Sequence, residues 1–406
     1  MRVFHVALTS ISGNSAAWRI RAAQESVGCE AVAAVHVPGD NLYSVKISAL
    51  NRWSLRLLDL LDRLPLEVCR SKKKLPWHTG LWGSNIQLVK QYSPDIINLH
   101  WVSGGCVNLD SLNSFAQPLV WTMHDVWGVT AGCHCNLGCK LWEDGCHNCP
   151  QLGPSLLPDF SHTIWKVKQA RLNRISNLCI VTPSRWLKNI VERSPLHKGR
   201  KVICIPNPID LDLYTPLPKE VSRDQLNIPY DEKVILFSAA GGVKVGYKGF
   251  DLLIEALQKL SKILPHKIRL LVIGEPGQFQ DNYPFPVTSL GAVTDEQVLV
   301  FAYNAADVFA SPSRQDNYPN AVLEAMSCGL PTVGFAVGGV PEIIEHKNRG
   351  YVADAFDIDD FAAGLRFVLT HSNPKFLSDE SRHWALTELS FSKVGKEYCD
   401  FYETLL

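Results

Sequence analysis

No stretch of the 406 residues approaches the roughly 18 uninterrupted apolar residues that a membrane-crossing helix needs, so any membrane contact is expected to be peripheral. Net charge is missing too. Forty Lys and Arg balance forty Asp and Glu, which removes any general electrostatic pull toward nucleic acid. The opening MRVFHVALTS has neither the basic start nor the longer apolar run of a signal peptide. A cytoplasmic protein is expected, touching at most the inner face of the cell membrane. In that setting the 12 cysteines are expected to be free thiols or metal ligands rather than disulfides. Internal repeats and low-complexity tracts are absent as well, and an apolar content of 46% excludes a largely disordered chain.

What is present is a rhythm. Short β-rich runs recur between helical patterns: RVFHVAL near residue 2, AVAAVHV near 31, DIINLHWV near 95, LVWTMHDV near 119 and LCIVTPS near 178. The second half repeats the pattern with KVILFSAA near 233, IRLLVIGE near 268, DVFASPS near 307 and PTVGFAV near 331. Such βαβ alternation over this length predicts an α/β protein of two Rossmann-like parallel-sheet domains facing a cleft, with ligands at strand carboxyl ends. After the strand VICIPNPI, the polar stretch Asp210 to Arg223 carries Pro216 and Pro218 and reads as the linker. The expected division is 1–209, 210–385, and a terminal helix over 386–406 packing back on the first domain. In the helix after Gly249, Leu253, Ala256, Leu257, Leu260 and Leu264 share one face and are assigned to the core.

The most informative segment runs from Ser311 to Ile344, SPSRQDNYPNAVLEAMSCGLPTVGFAVGGVPEII, and reads as strand, polar loop, helix, strand and glycine-rich turn. Asp316 precedes the helix and Glu324 lies inside it. Pro319 suits the first turn, whose unpaired N–H groups and positive end favour a phosphate. Glu324 is placed to accept hydrogen bonds from ribose hydroxyls, and Asp316 to hold sugar hydroxyls beyond the phosphates. An ordinary helix cap with a buried Glu ion pair is the competing reading. Upstream, GGVKVGYKGFDLL joins a strand to a helix. There Gly241, Gly242 and Gly246 permit close backbone approach, and Lys248 can neutralise a diphosphate.

These residues resemble the retaining, nucleotide-sugar-dependent glycosyltransferases of family 4 (group 1), which have the GT-B fold. The likeness is densest from residue 233 to 345, where DNYPNAVLEAMSCG matches the family's paired acidic residues with Asp316 and Glu324. KGFDLLIEAL matches the phosphate-lysine helix and gives Lys248 its role. VTPSRWL with Ser184, IPNPID from Ile205 to Asp210, and GAVTDEQVLVFAYNAADVFASPS extend the match. The resemblance implies that the base lies near Val293 and Thr294, and that Asn317 and Tyr318 help Asp316 position the sugar. Two departures stand out. Asp316 replaces the more usual Glu, and Gly242 and Val243 occupy the place of an Arg, for which Lys244 or a backbone N–H cluster substitutes.

In the first half, WTMHDVWGVTAGC puts His124 and Asp125 at a strand end. By itself His124 reads as a structural histidine; the resemblance implies an active-site one. The loop Ser10 to Ala16, with Gly13, is a candidate for diphosphate or acceptor approach, whereas His100 and Trp101 read as structural. The run CHCNLGCKLWEDGCHNCP follows directly. In this loop, 133–149, Cys133, Cys139, Cys146 and Cys149 are candidates for a closed structural zinc site, with Cys135 as the extra cysteine. Free or oxidised thiols are the alternative. A similar cluster occurs in some polysaccharide-assembling members of the resembled family. Asn51 to Trp77 mixes leucines with Arg52, Arg56, Arg63, Arg70 and Lys72 to Lys74, and reads either as a membrane-surface segment gathering a lipid-linked acceptor or as an amphipathic core helix with a basic loop.

The resemblance therefore implies transfer of a sugar from a nucleotide-diphosphate donor to a glycan or lipid-linked acceptor, with retention, in cell-surface polysaccharide biosynthesis. No metal is required at the diphosphate, because Lys248 and the helix end supply the charge. A nucleotide-sugar epimerase of the same fold and a non-catalytic nucleotide- or glycan-binding protein are the rival readings.

Overall fold

β-branched and leucine-rich runs buried on both faces form the centre of each sheet, as expected for parallel strands covered by helices. The computed structural model describes residues 1–7, 15–35, 44–46, 57–64, 66, 75–153, 159–239, 245–264, 267–274 and 283–406. The chain divides into two compact units, Met1–Pro206 with Val394–Leu406, and Asn207–Lys393.

The first unit holds a seven-stranded parallel sheet. Its strands are β1 (Arg2–Ala7), β2 (Glu30–Val35), β3 (Ser44–Lys46), β4 (Ile96–Leu99), β5 (Leu119–Thr122), β6 (Leu178–Thr182) and β7 (Val202–Cys204), in the order β3-β2-β1-β4-β5-β6-β7. Alternation sorts side chains to two faces. Phe4, Val6, Ile97, Leu99, Leu119 and Trp121 join one core. Val3, Ile96 and Val120 face the other way, under Ile20 of the helix Ala16–Ser26 and Val394, Tyr398 and Tyr402 of the helix Phe391–Glu403. These two helices touch closely because Gly395 has no side chain: a Cβ there would lie 2.1 Å from the Ala23 carbonyl oxygen. Cys29 and Cys399, 370 residues apart, form a disulfide between the same two segments. The expectation of reduced cysteines is corrected for this pair, because reasoning from compartment cannot see which thiols the packing brings together.

The second unit holds a six-stranded parallel sheet of β8 (Lys233–Ser238), β9 (Ile268–Ile273), β10 (Val287–Gly291), β11 (Val308–Ser311), β12 (Thr332–Phe335) and β13 (Gly350–Ala353), ordered β10-β9-β8-β11-β12-β13. Leu253, Ala256, Leu257, Leu260 and Leu264 of the helix Phe250–Ile263 and its C-cap are buried against Ile235, Phe237, Leu270 and Val272. The order places β8 beside β11, in parallel register from Val308 with Ile235, so the loops that leave their carboxyl ends are neighbours. Among the described residues no helix is long and apolar enough to cross a membrane.

Candidate functional site

The candidate residues fall into two groups, one in each unit. In the second, the loop after β8 ends in a short turn, Gly246–Lys248, and the loop after β11 leads into the helix Asn320–Ser327. Lys248 Nζ lies 2.7 Å from Asp316 Oδ2, with both side chains three-quarters or more buried. Arg314 ties the loops further: its N–H reaches the Tyr247 carbonyl at 2.8 Å, and its guanidinium pairs with Asp251 at 2.6 Å. Behind Asp316, the Gly339 N–H donates to its carbonyl at 3.0 Å. Gly338 approaches so closely that a Cβ would come within 1.7 Å of that oxygen.

Glu324 is 6% exposed, and the Tyr303 hydroxyl donates to its Oε2 at 2.7 Å. Pro319 occupies the cap position and not the first turn, its carbonyl takes the Val322 and Leu323 N–H groups, and no side chain caps the helix, so the Asn320 and Ala321 N–H groups at its start face the position where an anion would bind. Asn317 is buried, and Tyr318 is half-buried against the apolar core. Val293 packs against that core and Thr294 is exposed, in the turn between β10 and the helix Glu296–Ala305. Gly13, Gly242 and Lys244 lie outside the described residues, as does the rest of the glycine-rich stretch 241–244.

In the first unit, His124 and Asp125 follow β5, both half-buried. His124 does not act alone. Its Nε2 lies 3.1 Å from His100 Nδ1, and His100 Nε2 lies 2.9 Å from His5 Nδ1. The rings stack in a row with centroids 5.2 and 5.4 Å apart. Burial brings His124 down to about 4 against the pull of Asp125. Asp125 accepts from the Trp127 N–H at 2.8 Å and pairs with His134 Nδ1 at 2.7 Å. Burial alone would raise its carboxyl, but the His134 ring, the Trp127 N–H and His124 hold it below the usual carboxylate range. His134 Nε2 in turn meets His78 Nδ1 at 2.8 Å, and the His134 ring stacks on Trp101 at 4.5 Å. A recess of about 260 Å³ is lined by His100, Trp101, His124, Asp125 and His134 among others. His5, His78 and His134 are not among the residues the sequence points to, and His100 reads there as structural. The HW pair at a strand end was the one signal that pointed toward them.

Beyond Asp125, Lys168 is buried, its ammonium donating to the carbonyls of Trp127 at 2.8 Å and Thr130 at 2.9 Å, 3.4 Å from the centre of the Trp127 ring. It fixes the start of the cysteine loop. Cys133, Cys139, Cys146 and Cys149 line one pocket of about 300 Å³, from which Cys135 is absent. Yet among the described residues no three His, Cys, Asp or Glu side chains are grouped so as to hold a metal ion. Burial pushes the Cys146 thiol up to about 12 and raises those of Cys133 and Cys149 as well. The four thiols thus share a pocket without the close grouping of a closed tetrahedral site.

Much of the basic leucine-rich segment, including Arg52, Arg56, Arg70 and Lys72 to Lys74, lies outside the described residues. Residues 57–64 are helical. Asp62 is buried and takes the Thr79 hydroxyl and the Leu81 N–H, while Leu57, Leu60 and Leu64 are exposed on the other side. Arg63 pairs with Asp59 at 3.0 Å. Ser184 caps the helix Arg185–Arg193 by accepting from the Leu187 N–H, and Asp210 accepts from the N–H groups of Asp212 and Leu213, so both motifs shape local turns.

Residues 16–213 match the family model described as Glycosyltransferase Family 4, and residues 232–371 the one described as Glycosyl transferases group 1. A D-inositol 3-phosphate glycosyltransferase of Mycolicibacterium smegmatis is 32% identical over 227 residues, 50% of this chain and 50% of that protein. A putative colanic acid biosynthesis glycosyl transferase of Escherichia coli, WcaC, is 26% identical over 66% of each chain. The chain spans about half the length of the first curated relatives it matches. Anabaena HepE, solved in complex with UDP and glucose, superposes with a TM-score of 0.62 at 18% identity, covering 100% of both chains.

Proposed function

The chain belongs to the group 1 glycosyltransferases of family 4, with the GT-B fold, and from that premise we propose that it transfers a sugar from a nucleotide-diphosphate donor to a glycan or lipid-linked acceptor with retention of configuration. The observation that carries this reading is the pairing of Lys248 with Asp316 at 2.7 Å, ahead of an uncapped helix end. A diphosphate arriving at that helix end competes with Asp316 for the ammonium. Lys248 then neutralises the leaving group, and the released carboxylate takes up hydroxyls of the sugar. Glu324, whose Oε2 accepts from Tyr303, is the carboxylate placed to take ribose hydroxyls. The acceptor hydroxyl attacks the face that the diphosphate leaves, the anomeric C–O bond breaks, and the proton passes to the departing phosphate oxygen. Rate enhancement then comes chiefly from positioning and charge.

The UDP and glucose bound in HepE support a UDP-sugar donor, and the colanic acid relative supports a polysaccharide destination. Thermal-shift titration with UDP-, GDP- and ADP-sugars tests the donor, because only the true one should stabilise the protein strongly. A Lys248→Ala variant with full transfer activity would sink the site assignment. Donor chemistry alone supports a structural zinc in the four-thiol pocket, and binding would have to draw the thiols together and deprotonate them. About one zinc per purified chain under reducing conditions is the expected result, and well under one removes that part of the proposal. The exposed Leu57, Leu60 and Leu64 support peripheral contact with an anionic bilayer, testable by vesicle flotation.

A further inference from the structure

The carboxylate of Asp125 has more partners than a cap requires. Asp125 follows β5 and caps the short turn Val126–Gly128, where Oδ1 accepts the Trp127 N–H at 2.8 Å. Capping uses that oxygen alone. The other, Oδ2, meets His134 Nδ1 at 2.7 Å. An ionised carboxylate only accepts, so this bond has its proton on His134 Nδ1 whatever the protonation of the rings beyond. Burial works against the charge on Asp125, and the His134 ring, the Trp127 N–H and His124 outweigh it. His134 is itself clamped. Its ring stacks on Trp101 with centroids 4.5 Å apart, lies near-parallel to Trp127 at 6.3 Å, and has His78 Nδ1 2.8 Å from its Nε2. Main-chain bonds fix the same contact, the His134 N–H donating to the Pro76 carbonyl at 3.2 Å and the His78 N–H to the Gly132 carbonyl at 2.9 Å.

The result is a charged oxygen pair held still at the carboxyl end of a strand, in the wall of the recess of about 260 Å³. The Asp125 side chain is 24% exposed, and His134 is its one ion-pair partner among the described residues. Lys168 is turned instead to the carbonyls of Trp127 and Thr130. Much of the remaining lining is aromatic or apolar, from Trp101, Val102, Trp121, Met123 and Trp127. A fixed negative oxygen among indole rings suits a sugar, whose hydroxyls donate to carboxylates and whose C–H faces pack on aromatic rings. It repels a diphosphate. We infer that Asp125 is a further substrate-contacting residue, whose carboxylate accepts a hydroxyl of the acceptor sugar in this recess, and that His134 is the positioning residue that aims it. The word acceptor rests on the proposed function, in which Lys248, Asp316 and Glu324 of the second unit take the donor. The sugar site itself rests on the geometry of the first unit.

The test is saturation-transfer-difference NMR of the full chain, without donor, against the methyl glycosides of glucose, galactose, mannose and N-acetylglucosamine. The expected result is transfer to at least one of them. Three variants then separate binding from architecture. Asp125→Asn keeps the cap, because Asn caps as well as Asp, and removes the charge. His134→Phe keeps a stacking ring without an N–H, whereas His134→Asn gives up the ring and restores an amide N–H near the place of Nδ1. Affinity for the responding glycoside should fall at least about tenfold in Asp125→Asn and about fivefold in His134→Phe, and stay within about twofold in His134→Asn. A merely structural His134 predicts the opposite order for its two variants. No response from any glycoside, an undiminished response in Asp125→Asn, or a His134→Asn chain no better than His134→Phe overturns the inference. Failure of every UDP-, GDP- and ADP-sugar to stabilise the unsubstituted chain would count against the proposed function and leave the glycoside result in place.

Discussion

Replacing Gly338 with alanine tests how tightly the acidic loop is held. Gly338 has φ +59°, and a Cβ built there lies 1.7 Å from the Asp316 carbonyl oxygen, where real contacts begin at about 3.0 Å. The obstruction is backbone, so no side-chain rotation relieves it, and the main chain at Asp316 has to retreat by more than about 1 Å. Two effects then separate. The left-handed backbone alone costs about 1–2 kcal/mol for a residue with a Cβ, which in a unit of this size lowers the melting temperature by about 2–8 °C. Displacement of a sugar-positioning carboxylate by about 1 Å lowers kcat/KM by about 100-fold. Gly199→Ala is the control, because Gly199 has φ +78° with nothing within 4 Å of its Cβ, and it should show the stability loss without the activity loss. Thermal melts and steady-state transfer kinetics on the two variants decide the matter. A Gly338→Ala enzyme as active as Gly199→Ala would refute the claim that the position of Asp316 governs catalysis.

Lys248→Met should raise donor KM and lower kcat together, about 100-fold or more in kcat/KM, because a charge-assisted bond to the leaving diphosphate is lost; an effect under threefold would argue against it. Tyr303→Phe removes the hydroxyl that Glu324 accepts at 2.7 Å, and should cost about 1.5–3 kcal/mol in urea unfolding, with weaker UDP-sugar binding. Stability should also fall on mild acidification. His5 and His124 are depressed by burial to about 4, and His78 and His197 to about 3. Below about pH 6.5 the unfolded chain takes up protons at these rings and the folded chain does not, so each contributes a loss of up to about 1.4 kcal/mol per pH unit until its folded value is reached, and nothing above pH 6.5. Urea midpoints at pH 7.5 and 5.5 measure this, and equal values would contradict the burial of these rings as neutral groups.

The sheet interiors were legible because β8, β9 and the strands at the centre of the first sheet are written in continuous Val, Ile and Leu. Ser44–Lys46, Val287–Gly291 and Gly350–Ala353 were missed, and all three are short strands at sheet edges, where one neighbour suffices and the residues need not be apolar. Asp316 and Glu324 were visible as spacing on either side of a helix start. The bond from Lys248 to Asp316 was not, since it depends on β8 lying next to β11, and strand order is not written in either segment. The same reason hid the histidine row. His5 lies within β1 while His100 and His124 follow β4 and β5, and only the order β1-β4-β5 makes them neighbours. The disulfide, whose partners are 370 residues apart, was hidden in the same way.

The helix Phe391–Glu403 is made after the whole of Asn207–Lys393, yet from Val394 onward it belongs to the first unit. During synthesis the second unit is contiguous and can close as soon as it is complete. The first unit must wait with the surface that Val394, Tyr398 and Tyr402 later cover open to solvent. A chain whose translation stops short of Val394 carries Lys248, Asp316 and Glu324 but leaves that face of the first sheet uncovered.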